Sequence, residues 1–210
     1  MRARWILGSL AIVAGLTIAF QFWLNIDQRG TVFRAARSFF SFFTIWTNIA
    51  VALTAGWLAL RSEASWRRWE VSMISAVTLF IVFVGVVYHA LLSGDHNPTG
   101  VPAVTNVLLH YVIPIAMLAA WLTIVPKGRL RLADPVVWLA YPLTYLAFAM
   151  VRGALIGSYP YFFLNADFYG LGGVALHAVG LCFSLLVMGM GLVGLDQLFS
   201  TQKARLQTPT

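Results

Sequence analysis

Charge is scarce in this chain. Of its 210 residues only 10% are Asp, Glu, Lys or Arg, while 60% are hydrophobic and the mean hydropathy is +0.81. So few charges cannot clothe a water-soluble surface, and the composition indicates an integral membrane protein. Cysteine is nearly absent. A single thiol, Cys182, excludes an internal disulfide and any paired-cysteine metal or redox motif, and its place in an apolar run marks it as a small core residue. All seven acidic residues fall outside the long apolar runs. That weighs against a carboxylate-bridged metal site and against a proton pathway through the membrane. Linkers, repeats and low-complexity stretches are missing as well, so the chain reads as one bundle over 1–210.

What is present in excess is apolar sequence of spanning length. A transmembrane helix needs about 20 apolar residues, and six such runs are found at Trp5–Leu24, Phe39–Leu60, Val71–Leu92, Val104–Val125, Val136–Ile156 and Leu171–Leu195. Their continuity excludes the alternating pattern of barrel strands. The expected fold is therefore an all-α integral membrane bundle of six transmembrane helices. Arg2 and Arg4 precede the first run as in a signal peptide, but the run exceeds the usual apolar core of one and is read as a retained span. Basic residues set the orientation. Arg2, Arg4, Arg61, Arg67, Arg68, Lys127, Arg129, Arg131, Lys203 and Arg205 share one side; Arg29, Arg34, Arg37 and Arg152 occupy the other. Both termini are thus expected in the cytoplasm, with the protein a multi-pass component of a bacterial inner membrane. Membrane lipids account for the net charge of +7 without nucleic acid. Trp57, Trp66, Trp69, Trp121 and Trp138 are expected at the inner interface, and the aromatics of Tyr159–Phe163 at the outer one.

The polar residues within these runs share one depth. Thr44, Thr47, Asn48, His89, Asn106, His110, Arg152 and His177 all fall within about two helical turns of the same membrane face. Polar groups in hydrocarbon are costly and normally face a bundle interior or a wet cavity, so a layer drawn from five runs is a candidate site. Thr44, Thr47 and Asn48 lie on one helix face at i, i+3 and i+4. Each threonine on its own is better read as bonded to its own helix, whereas the Asn48 amide needs partners in lipid and fits a site residue and interhelical glue equally. Asn106 and His110 are i, i+4 neighbours, and Pro114 follows four residues later. Proline has no N–H for the His110 carbonyl, so the helix should loosen at the histidine. His89 and His177 are either structural or a ligand pair for haem or metal. Arg152 either snorkels, pairs with Asp95 or Asp167, or binds a lipid headgroup or carboxylate. His96, in the turn-rich 93–100 loop, reads as solvated. A threonine hydroxyl needs a base to become a nucleophile, and a neutral histidine is the usual one. Thr44 and His110 are placed to supply both, with Asn48, Arg152 or His177 as candidates for holding an oxyanion.

The segments FFTIWTNIAVAL, LLHYVIPIAMLAAW, YPLTYLAFAMVRG and YPYFFLN together resemble bacterial six-helix members of the androgen-induced and androgen-dependent TFPI-regulating protein superfamily. The resemblance runs from the second apolar run to the sixth. It implies a membrane threonine hydrolase of fatty acid esters of hydroxy fatty acids, with the nucleophile at Thr44 and the base at His110. On that reading no cofactor or metal is needed, and the partner is a lipid or fatty acid ester that enters from the bilayer. Substrate-binding or oxyanion roles are expected among Asn48, Arg152, His177, His89, Asn106 and Thr47. Two other classes remain open on the residues alone: a haem or redox protein ligated by His89, His177 and His110, and a lipid-binding or transport protein without chemistry.

Overall fold

Long uninterrupted apolar runs leave the backbone one way to satisfy its own N–H and C=O groups, the helix. The computed structural model describes residues 2–62, 65–94 and 98–207, and those residues contain no strand. Asp95 and His96 lie outside the described residues. The helices are α1 (Arg2–Arg29), α2 (Val32–Phe39), α3 (Phe43–Ala59), α4 (Arg68–Val87), α5 (Val101–Val107), α6 (Ile113–Ile124), α7 (Asp134–Trp138), α8 (Ala140–Ile156) and α9 (Ala166–Gln207). Tyr88–Leu92 prolongs α4 as a π turn, and Leu108–Val112 joins α5 to α6 as a second. Among the described residues five helices are long and apolar enough to cross a membrane. The count is six if α2 and α3, bent by 88°, form one broken span.

The expected second span therefore divides. Phe39 ends α2, the chain turns, and α3 begins at Phe43. α2 is short, carries Arg34 and Arg37, and buries only Ala35 and Phe39, the pattern of an interfacial helix. Phe39 packs against Phe22 and Phe40, which holds the bend. The first span is longer than expected, running to Arg29, and the last passes Leu195 to take in Asp196, which is fully buried. A carboxylate thus does sit inside a helix. Its Oδ2 accepts the Leu130 N–H at 3.0 Å, a bond that supplies part of what water would.

The chain divides into two compact units, 1–130 with 196–210, and 131–195. In the first, α1 lies along α3, α3 packs on α4, α4 on α6, and α6 returns to α1. Small residues let these apolar helices approach closely. Gly8 and Gly56 put α1 against α3, where their Cβ atoms would stand 3.9 Å from Ala59 and 3.6 Å from Ala11. Trp66 and Trp121 are buried here rather than set in an interfacial belt. Trp121 Nε1 donates to Ser75 Oγ at 2.7 Å, and that partner lets an indole be buried. Lys127 covers the Trp121 ring at 4.0 Å and donates to the Trp121 and Val125 carbonyls. In the second unit, Gly157 (φ 68) closes α8 in the left-handed conformation. The Tyr159 ring covers Gly153 in the space that a Cβ would fill. Asn165 Oδ1 caps the next helix by accepting the Asp167 and Phe168 N–H groups. Trp138 is also buried, in the second unit, contrary to a belt position.

Candidate active site

The first unit brings Thr44 and His110 together. Phe42 is extended, so α3 starts abruptly, and Thr44 is its second residue. His110 sits in the Leu108–Val112 π turn, where the Ile113 N–H reaches back five residues to the Leu108 carbonyl. This is the form the expected loosening takes, four residues before a proline that has no N–H to give. Such turns often occur at functional sites because they re-aim a side chain without ending the helix. The result puts His110 Nε2 3.4 Å from Thr44 Oγ1. The distance is long for a hydrogen bond but within reach of one, as is common for catalytic pairs without substrate.

The other ring nitrogen decides the tautomer. His110 Nδ1 lies 3.0 Å from the main-chain carbonyl of Asn106. A carbonyl only accepts, so Nδ1 carries the proton and the Nε2 lone pair faces the threonine. Hydroxyl, ring nitrogen and orienting carbonyl stand in the order that activation of a threonine would require.

Asn106 also works through its side chain. Its Nδ2 donates to Tyr88 Oη at 2.6 Å. The Tyr88 ring stacks on His110 with centroids 3.9 Å apart and planes 23° from parallel. Tyr88 is buried and begins the other π turn, which closes by Ser93 N–H to the Tyr88 carbonyl at 2.8 Å while Ser93 Oγ takes the His89 carbonyl. Tyr88 was not among the residues singled out from the sequence. Its polar tip at the depth of His110 was the available signal. Gly85 is a second such residue. It meets the His110 carbonyl so closely that a Cβ there would fall 2.8 Å from the oxygen. That carbonyl is the one whose α-helical donor position is Pro114, which has no N–H, and a side chain at position 85 would press on it.

Asn48 and Thr47 are fully buried on α3. Thr47 Oγ1 donates to the Phe43 carbonyl at 2.9 Å within its own helix. Asn48 Nδ2 donates to the carbonyl of Thr44 at 2.8 Å and reaches that of Leu109 at 3.5 Å. It therefore ties the first turn of α3 to the turn that carries His110. His89 is exposed and pairs through Nδ1 with Tyr111 Oη at 3.2 Å. Arg152 and His177 belong to the second unit. Arg152 Nη1 donates to the Ser158 carbonyl at 2.9 Å, and His177 Nδ1 donates to that of Phe163 at 2.8 Å, so each fastens the 157–165 segment. Among the described residues no three of His, Cys, Asp and Glu gather as a metal site would require.

An open apolar groove of about 320 Å³ runs between α4 and α6 and reaches His110. His110 forms part of its wall, with Gly85, Val86, Pro114 and Ile115, and His89 and Tyr111 stand at the same groove.

No family model, curated protein or solved structure matches the chain. The resemblance read from the sequence stands on its motifs alone.

Proposed function

We propose that this protein is a membrane-embedded hydrolase of lipid carboxylic esters, in which Thr44 is the nucleophile and His110 the general base. The observation that carries this reading is the Thr44–His110 approach at 3.4 Å, with His110 Nδ1 held by the Asn106 carbonyl so that Nε2 is the basic nitrogen. In the first step Thr44 Oγ1 bonds to the ester carbonyl carbon as its proton passes to Nε2. The tetrahedral intermediate collapses, the carbon–oxygen bond to the alcohol breaks, and His110 returns the proton to that alcohol. Water then attacks the acyl-threonine, giving its proton to Nε2. The acid leaves, and Thr44 regains its hydrogen from His110. General base catalysis of this kind contributes about 10² to 10⁴ in rate.

Negative charge on the intermediate develops beside the second residue of α3, where the helix dipole is positive. Asn48 has its amide N–H groups turned to two carbonyls and acts on this reading as a clamp between nucleophile and base. The site lies among apolar helices, so an ester enters sideways from lipid, through the α4–α6 groove. The wider setting we propose is a bacterial inner membrane crossed six times, with both termini in the cytoplasm.

The groove by itself would equally serve a lipid-binding protein without chemistry. Hydrolysis of a branched fatty acid ester by purified protein separates the two. Wild type is expected to turn over, and folded Thr44→Ala and His110→Ala to lose at least a hundredfold. Full activity in either variant removes that residue from the chemistry. An acyl adduct on Thr44, seen by intact-mass measurement after rapid acid quench, is the covalent signature.

A further inference from the structure

The groove has a direction. α4 and α6 run antiparallel along it: Gly85 faces Pro114, Tyr88 packs on His110, and His89 pairs with Tyr111. Towards the 93–100 loop the wall is polar, with His89 and Tyr111. Below His110 it is purely apolar and continues to Val82 and Leu118. From His110 to Leu118 is eight residues, about 12 Å of helix.

We infer that this groove is the acyl subsite of the proposed hydrolase, with Val82 and Leu118 as the residues that measure acyl chain length. The inference rests on the hydrolase reading. It commits to one occupant, a single acyl chain, whose ester carbonyl lies at His110 and whose alcohol portion lies beside His89 and Tyr111. Below His110 the lining is aliphatic side chains and Pro114, with no side-chain donor or acceptor, which suits an alkyl chain and no polar molecule. The polar pair at one end fixes which way an amphiphile lies in it. With carbon–carbon bonds of about 1.5 Å in a zigzag, 12 Å takes on the order of ten carbons.

The physics of selection differs from that of a soluble lipase. A chain leaving lipid for this groove gains no hydrophobic free energy, since lipid tails are as apolar as leucine. Trimming the groove should therefore change little. Selection must come from exclusion: a chain that does not fit cannot bring its carbonyl to His110.

The test is an acyl series from butanoyl to hexadecanoyl esters of one alcohol, assayed with wild type, Leu118→Trp and Val82→Phe. Leu118→Trp and Val82→Phe should lower kcat/KM for decanoyl and longer esters at least tenfold and leave the butanoyl ester within twofold. An unchanged chain-length profile in both variants overturns the assignment. A second readout does not depend on turnover. Thr44→Ala protein in vesicles is irradiated with a fatty acid carrying a terminal diazirine, and adducts are mapped by peptide mass. Adducts on α4 near Val82 or on α6 near Leu118 support the subsite even where no ester is hydrolysed, and in that case the hydrolase reading alone falls. Adducts confined to other helices overturn the subsite.

Discussion

A methyl group at position 85 collides with the main chain of His110, the proposed base. The Cβ of an alanine there falls 2.8 Å from the His110 carbonyl oxygen and 3.5 Å from Pro114 Cβ. Carbon and carbonyl oxygen rest about 3.3–3.6 Å apart, so α4 and the His110 turn must separate by roughly half an ångström or more. The pairing with Thr44, at 3.4 Å, is already at the limit for a hydrogen bond and has no slack for such a shift. A misplacement of about 1 Å costs on the order of a hundredfold in rate, so about half of that predicts a loss of roughly tenfold. Stability moves much less. Alanine gains about 1 kcal/mol over glycine inside a helix, against an overpacking cost of about 1–3 kcal/mol. The assay is ester hydrolysis by Gly85→Ala in detergent, beside Gly15→Ala. Position 15 has nothing within 4 Å, so the control shares the helical gain without the collision. Wild-type turnover in a well-folded Gly85→Ala would refute the claim that Gly85 sets the position of His110.

Two further outcomes follow from named contacts. Tyr88→Phe keeps the ring on His110 but leaves Asn106 Nδ2 without its 2.6 Å acceptor; it should destabilise the fold by about 1–3 kcal/mol and lower kcat a few-fold. Tyr88→Leu, which also removes the stack, should lower kcat further, and equal kcat for the two variants would show that the stack does not position the base. Lys127 lies outside the spans, and burial lowers its ammonium from 10.5 to about 8, against the opposing pull of Asp196. Between those two values the unfolded chain holds a proton the folded chain has released, so stability rises with pH across that window and levels off above it. The thermal midpoint in detergent, followed from pH 7 to 11, should climb in wild type and stay flat in Lys127→Gln.

Sequence alone determined that the chain folds as long apolar helices. Apolar runs of spanning length admit only helices in lipid, and five of the six expected runs coincide with single helical stretches within a few residues at most ends. The sixth, Phe39–Leu60, divides at an 88° bend, because the aromatic residues at 39–43 are as apolar in a turn as in a helix and composition does not distinguish them. The depth rule also placed Thr44, Asn48, Asn106 and His110 at one level, and Pro114 pointed to a loosened turn at the histidine. What a linear reading cannot contain is azimuth, the direction each side chain faces around its helix. Only the tertiary structure decides that His110 turns Nε2 to Thr44, that Tyr88 is its stacking partner, and that Gly85 is what lets α4 come so close. It also decides that Trp66 and Trp121 are buried rather than interfacial, since an indole's partner, Ser75 for Trp121, comes from another helix. Spacing along the chain carries depth; which faces meet depends on side-chain fit between helices distant in sequence, and in lipid that fit is what holds them together.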